Sequence, residues 1–188
     1  MRNRQTPSLP YVWLVSDARI DSAMEAVLDR LPRGSGLIFR HYHLPPNERL
    51  ARFRTLRERS RRRGHLVVLS GPAAEARRWG AAGAYGRPAL LATGPRALRL
   101  VTVHSLRELA MARRADAVLL SPAFATESHP GARALGRLRF RLIAARAQVP
   151  VIALGGMDAR RARAIGAQRW AAITSLAQPR SRMFSLRS

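Results

Sequence analysis

The 188-residue chain carries 34 basic residues against 11 acidic ones, a formal net charge of +23, and every basic residue in it is Arg. Its length suits one domain with a sizeable core or a small single barrel, and the lack of Lys and Cys excludes Schiff-base lysines, disulfides, thiolate nucleophiles and Cys-ligated zinc. No apolar run approaches the ~18–20 residues needed to span a bilayer, and the N-terminus lacks the apolar core of a signal peptide, so we expect a cytoplasmic protein without a membrane segment.

Short apolar runs recur along the chain, each too short for a buried helix. They lie at 11–15, 36–39, 65–69, 98–103, 116–120, 149–154 and 170–173, with a weaker candidate at 83–85. Helical patterns separate most of them; Ile20, Met24 and Val27, for example, fall on one face at a spacing of about 3.6 residues. Strands that alternate with helices predict a parallel sheet covered on both faces. Eight such units predict a compact (β/α)8 TIM barrel, and an open doubly wound sheet is the alternative.

Two helices of this barrel are expected to be reduced. The segment after the fourth strand contains Pro88, Gly94 and Pro95, which disfavour a full helix, and little apolar periodicity follows the eighth strand. We therefore expect an N-terminal extension at 1–10, one barrel domain at 11–177, and a C-terminal tail at 178–188 that need not be ordered. A short eighth helix would leave apolar barrel surface that a second copy could cover, so a homo-oligomer stays open.

The helices carry most of the Arg residues. Along 48–63 and 158–166 these alternate with apolar residues at helical spacing, as expected of solvated helix faces. Specific nucleic-acid binding needs a clustered basic patch, so no specific nucleic-acid partner is expected. Ser105 and Glu108 fit a capping box, and Asn47 and Asp158 are candidate caps of two other helices.

The ends of the last two strands predict a phosphate site. Gly155 and Gly156 follow a strand and precede a helix, which lets backbone amides approach a phosphate. A tight turn alone would also explain this glycine pair. Thr174 and Ser175 end the next strand, and in barrels the loops after strands seven and eight commonly bind phosphate. The four residues together favour a small-molecule phosphate ligand.

His104 ends the fifth strand. At a barrel mouth it could act as a general acid and base near neutral pH, or it could simply hydrogen-bond the adjacent loop.

Polar residues also follow the second and sixth strands. Arg40 can bind phosphate oxygens through two N–H groups. His41 and His43 would share one face if the strand continued, but no third ligand is evident and no metal is expected. The long loop after the sixth strand carries Ser121, Thr126, Ser128 and His129, whose donors suit an anionic ligand. The alternative for that loop is a helix-capping surface segment.

These motifs together resemble a known family. The stretches "SPAFATESHPG" at 121–131, "VPVIALGGM" at 149–157 and "VHSLREL" at 103–109 resemble the thiamine phosphate synthase superfamily, which includes the thiazole tautomerases. The resemblance implies a (β/α)8 barrel and a role in thiamine biosynthesis. It also implies roles for individual residues: thiazole phosphate on Gly155, Gly156, Thr174 and Ser175, ligand contacts from Thr126 and Ser128, and diphosphate on Arg40.

The sequence departs from the synthase pattern where magnesium binds. Ser70-Gly71 replaces the Asn-Asp pair that ends the family's third strand, and no Asp or Glu occurs between Glu75 and Glu108. Ile38 and Tyr42 replace the Gln and Lys beside the family arginine, and His129 replaces the loop lysine. Magnesium is therefore expected only if the protein is a synthase.

The resemblance then implies one principal activity and two alternatives. The first is tautomerase-type chemistry on a thiazole phosphate, with His104 at the position of the tautomerases' acid and base. One alternative is a divergent synthase that condenses hydroxymethylpyrimidine diphosphate with thiazole phosphate. The other is a non-catalytic binder of a phosphate ligand.

Overall fold

The computed structural model describes residues 9–125 and 133–178. Eight parallel strands in these residues form a closed barrel in which each strand pairs with the next and β8 pairs with β1. The strands are β1 (Val12–Val15), β2 (Gly36–Phe39), β3 (Leu66–Ser70), β4 (Gly83–Gly86), β5 (Leu98–Val103), β6 (Ala117–Leu120), β7 (Val151–Ala153) and β8 (Arg169–Ala172). This confirms the predicted (β/α)8 barrel and excludes the open sheet.

Helices alternate with the strands around the outside of the barrel. A 3-10 helix (Ala18–Ala23) is followed by α1 (Met24–Arg30), α2 (Pro46–Arg62), α3 (Ala73–Trp79), α4 (Pro88–Leu91), α5 (Leu106–Met111), α6 (Gly136–Ala144), α7 (Ala159–Ile165) and α8 (Thr174–Ala177). The helices after β4 and β8 have four residues each, so the prediction that these two are reduced is confirmed. Within the described residues, no helix has both the length and the apolar character needed to cross a bilayer.

The barrel encloses one apolar cluster, and a second lies between the strands and the helices. Side chains alternate along each strand, so Trp13 and Val15 point inward while Leu14 packs beneath the helices. Trp13 is completely buried and donates its indole N–H to the Pro10 carbonyl at 2.9 Å. A Cβ at Gly36 would overlap the Trp13 ring. The glycine on β2 therefore makes room for the largest side chain inside the barrel.

The helix caps agree with the sequence in two cases of three. The Ser105 hydroxyl accepts the amide of Glu108 at 3.2 Å, although the Glu108 carboxylate accepts the amide of His104 and not that of Ser105, so only the serine half of the capping box is present. The Asp158 carboxylate accepts the amide of Arg161 at 2.7 Å. The prediction that Asn47 caps α2 is wrong. That helix begins at Pro46, because proline at the first helical position already has the required φ, and Asn47 lies inside the first turn.

Candidate functional site

The carboxyl ends of the eight strands surround a cavity of about 780 Å³. This volume suits a small ligand. Its walls are mostly apolar, with a few polar groups spaced around the rim. The polar and glycine residues that line it are Arg40, Tyr42, Ser70, Tyr85, Gly86, Arg87, Thr102, His104, Ser121, Gly155, Gly156 and Ser175.

The turn after β7 holds two glycines in left-handed conformations, with φ of +95° at Gly155 and +58° at Gly156. A Cβ at Gly155 would lie 2.7 Å from the Cα of Pro122, so the turn packs directly on the loop that follows β6. In residues 9–125 and 133–178, the amides of Gly155, Gly156 and Met157 have no protein acceptor. All three residues line the cavity. Successive free amides in a turn of this kind form a concave anion site.

The end of β8 contributes one of its two predicted phosphate ligands to the cavity. Ser175 lines the cavity and donates its hydroxyl to the Met157 carbonyl at 2.7 Å, which ties α8 to the glycine turn. Thr174 is the first residue of α8 and is not among the lining residues. The sequence predicted that both residues end a strand, but they lie in α8, where adjacent side chains point in different directions.

His104 follows β5 and lies on the cavity rim with its side chain exposed to solvent. Its Nδ1 is 2.7 Å from the backbone carbonyl oxygen of Ser121 and 3.2 Å from the Ser121 hydroxyl. A carbonyl oxygen only accepts, so Nδ1 carries the proton and Nε2 of the neutral ring keeps a lone pair. The amide of His104 donates to the Glu108 carboxylate at 2.6 Å, which fixes the backbone behind the ring.

Two arginines also line the cavity. Arg40 follows β2 and Arg87 follows β4, and both line the cavity. Among the described lining residues there is no Asp or Glu. Magnesium in proteins is bound mainly through carboxylate oxygens. The described part of this cavity therefore does not fit a magnesium ion.

Tyr42 and Ser70 close the corner between β2 and β3. Their hydroxyls hydrogen-bond to each other, and the Arg49 guanidinium lies 5.0 Å from the centre of the Tyr42 ring. Arg49 also donates to the Ser70 carbonyl at 2.8 Å, so the corner is braced from behind. Nearby, burial raises the pKa of the Tyr85 hydroxyl, although a hydrogen bond with Thr102 opposes the shift.

The two histidines after β2 do not share a strand face as expected. β2 ends at Phe39, and His41 turns the chain with φ of +38°. The His41 ring is buried while His43 is exposed. Asp21, which the sequence did not indicate, brings its carboxylate to within 4.8 Å of ligand atoms on both histidines.

Three of the residues predicted to contact the ligand belong to segment 126–132. Thr126, Ser128 and His129 lie outside the described residues. Sequence reasoning also missed Arg49, the Tyr85–Thr102 pair, and Ser16, a buried residue after β1 whose hydroxyl accepts the amide of Arg40 at 2.7 Å. Alternation along β4 and β5 could have placed Tyr85 and Thr102 at the mouth, whereas the contacts of Ser16 and Arg49 depend on tertiary structure.

Comparison with known proteins gives a family and a fold. Residues 12–176 match the family model described as thiamine monophosphate synthase. No curated protein matches the chain significantly.

Several solved structures resemble the barrel. Thiamine phosphate pyrophosphorylase from Pyrococcus furiosus has a TM-score of 0.75 at 22% identity, over 90% of this chain and 88% of that one. The pyrophosphorylase from Bacteroides thetaiotaomicron has a TM-score of 0.60 at 14% identity, with 95% and 90% of the two chains covered. A 3-hexulose-6-phosphate synthase has 0.59 at 13%, with 87% and 89% covered. At such identities the likeness concerns the fold alone.

Proposed function

The chain belongs to the thiamine monophosphate synthase family, and on that premise we propose that it binds a thiazole phosphate at the barrel mouth and moves a proton on the ring. The phosphate is assigned to the amides of Gly155, Gly156 and Met157, which have no acceptor among residues 9–125 and 133–178. A dianion needs several donors that cost no reorganisation, and left-handed glycines supply such donors. Ser175 acts as a brace for this turn, because its hydroxyl is already committed to Met157.

The single observation that carries the proposal is the fixed imidazole beside that turn. His104 bonds to Ser121, and the next residue, Pro122, packs on Gly155. One short segment therefore sets the position of the base relative to the phosphate. This arrangement supports acid–base chemistry on a small ring anchored through its phosphate.

The proposed step needs only one residue to transfer the proton. Nε2 of His104 removes a proton from one atom of the ring, and the ring electrons move to a new double-bond position. The imidazolium then carries N–H on both nitrogens, and its Nδ1–H remains bonded to the Ser121 carbonyl. Return of the Nε2 proton to a second ring atom completes the isomerisation, so no atom is gained or lost.

A divergent synthase is the second candidate, favoured by the family description and by the two arginines that line the cavity, Arg40 and Arg87. A synthase must expel diphosphate, and arginines neutralise charge without polarising bridging oxygens as a divalent ion does. The absence of carboxylates from the described lining weighs against this reaction.

One assay separates the two candidates. Purified protein is given hydroxymethylpyrimidine diphosphate and thiazole phosphate, with magnesium or with EDTA, and the products are resolved by chromatography. The proposal predicts no condensation under either condition. Thiamine phosphate formed with magnesium and abolished by EDTA would establish the synthase and defeat the proposal.

A further inference from the structure

Hydrogen bonds hold both the amide and the carbonyl of Arg40. Its amide donates to the hydroxyl of Ser16 at 2.7 Å, and its carbonyl accepts from Arg49 at 2.9 Å. Ser16 follows β1 directly and is completely buried. The position of this cavity-lining arginine therefore depends on a hydroxyl from the neighbouring strand.

The Ser16 hydroxyl belongs to a longer chain of contacts. It lies 2.7 Å from Nδ1 of His41, and Nε2 of the same ring lies 2.7 Å from Oδ1 of Asp21. Arg52 donates to that carboxylate oxygen at 2.8 Å and to the Asp21 carbonyl at 2.7 Å. The His41 ring stacks on Phe39, with centroids 4.6 Å apart and planes within 1° of parallel. The buried imidazole is therefore fixed on its edges and on one face.

The acceptor atoms in this series of contacts determine which group donates each hydrogen bond. An ionised Asp21 only accepts, so Nε2 of His41 carries the proton and Nδ1 accepts the Ser16 hydroxyl proton. The Ser16 oxygen can then accept the amide of Arg40. Burial is the main reason that the pKa of His41 lies below its usual value, which agrees with a neutral ring, and Asp21 partly opposes that shift. The hydrogen bonds therefore connect Asp21 to His41, His41 to Ser16, and Ser16 to the amide of Arg40.

Two other functions of this cluster fit the contacts less well. An Asp–His–Ser order occurs in hydrolases, but Ser16 is buried, does not line the cavity and already accepts an amide. A metal would need Asp21, His41 and His43 as ligands. Both ring nitrogens of His41 already form hydrogen bonds, and the Arg52 guanidinium forms an ion pair with Oδ1 of Asp21. A metal would have to displace these contacts.

We propose that Ser16, His41 and Asp21 form a positioning relay that holds Arg40 where its guanidinium binds an anionic group of the ligand. His41 adopts a left-handed backbone that residues with a Cβ normally avoid. The two hydrogen bonds of its ring offset that strain. The chain thus leaves β2 sharply enough to bring Arg40 to the rim and His41 into the interior. The proposal rests on the ligand binding of the proposed function, because Arg40 lines the same cavity as the glycine turn that is assigned the phosphate.

Inorganic diphosphate is the probe, because its binding depends on cationic side chains and involves no contact with a thiazole ring. Isothermal titration at moderate salt compares wild type, Ser16→Ala, Arg40→Ala and the double variant. We expect Ser16→Ala to weaken binding by roughly five- to tenfold, the effect of one lost buried hydrogen bond. In the Arg40→Ala background the same change should have no further effect, because the relay acts only through Arg40.

The matched control is Ser35→Ala. Ser35 is also buried and donates its hydroxyl to the Pro32 carbonyl at 2.6 Å, before β2 begins and away from the mouth. Its loss should lower the unfolding temperature without changing affinity for diphosphate. If Ser16→Ala does not fold, the cycle is run with Asp21→Asn, and the same coupling is expected.

Three results would overturn the relay. The first is that wild type shows no saturable binding of diphosphate. The second is that wild type and the relay variant bind diphosphate with equal affinity. The third is that the affinity losses of Ser16→Ala and Arg40→Ala multiply in the double variant, which would show that the two residues act independently. Tight Zn²⁺ binding that His43→Ala removes would instead assign the cluster to a metal. Failure of the proposed function is distinct, since it appears as absent thiazole phosphate binding while the diphosphate cycle still shows coupling.

Discussion

The Nδ1 atom of His104 lies 2.7 Å from the carbonyl oxygen of Ser121. A backbone acceptor cannot ionise or rotate away, so it fixes both the tautomer and the plane of the imidazole. The remaining nitrogen belongs to a residue on the cavity rim. This contact joins the ends of β5 and β6, and it holds the His104 ring in one orientation although the residue is exposed.

We expect Ser121→Ala to be a mild change. It removes the hydroxyl at 3.2 Å from Nδ1 and leaves the backbone carbonyl in place. The rate of proton exchange on bound thiazole phosphate should fall by less than about fivefold, the value of one weak hydrogen bond. A loss as large as that of a His104 variant would show that the hydroxyl, and not the carbonyl, orients the ring.

Gly155→Ala should weaken phosphate binding strongly. The new Cβ meets a positive φ of 95° and the Cα of Pro122 at 2.7 Å, so the turn must rearrange. We expect a stability loss of about 1–3 kcal/mol together with an affinity for thiazole phosphate reduced by more than about tenfold. Calorimetry and thermal unfolding measure the two effects.

The control for this change is Gly166→Ala at the end of α7. Gly166 has a φ of +71°, but nothing lies within 4 Å of its added Cβ. Gly166→Ala should lose stability because of the backbone strain, but its affinity for thiazole phosphate should equal that of wild type. Equal affinity losses in both variants would mean that the glycine turn after β7 is not the phosphate site.

His65 should make stability depend on pH. Its buried ring accepts the Ser35 amide at Nδ1 and lies 3.0 Å from the Leu28 carbonyl at Nε2, an arrangement that requires the neutral form. Burial lowers the pKa of His65, and Arg63 and Arg33 act in the same direction, while the Leu28 carbonyl and Asp29 oppose them. The unfolded chain therefore binds the proton first as pH falls, and stability declines below about pH 6.5.

Denaturant unfolding at about pH 8 and about pH 5.5 tests this sign. Wild type should be less stable at the lower pH, and His65→Gln should show a smaller difference between the two. The lowered pKa of Asp17, Asp21 and Glu25 keeps these carboxyls ionised across this window. Burial also lowers the pKa of His41, so part of the dependence should remain. An unchanged difference in His65→Gln would exclude its contribution.

The fold could be predicted from the sequence because the barrel is encoded locally. Apolar runs such as 36–39 and 98–103 coincide with the observed strands, and the fourth helix, which begins at Pro88, ends before Gly94 and Pro95. The glycine turn and His104 could also be placed, since both follow strands and parallel strands end at one edge.

The relay behind Arg40 could not be predicted. It joins residues 20 and 25 positions apart through a left-handed His41, and that conformation is unusual for a residue with a Cβ. Periodicity instead suggested that the strand would continue and bring His41 and His43 to one face. Long-range hydrogen bonds of this kind depend on the closed barrel and leave no periodic signal.

Deuterium exchange into thiazole phosphate, followed by NMR, tests the acid–base role of His104 most directly. Asparagine can still donate to the Ser121 carbonyl but cannot transfer the proton, so His104→Asn should slow exchange by about 10²–10⁴-fold. Its affinity for thiazole phosphate should change by less than about threefold. Exchange at the wild-type rate in His104→Asn, with binding retained, would contradict the assignment of His104 as the acid and base.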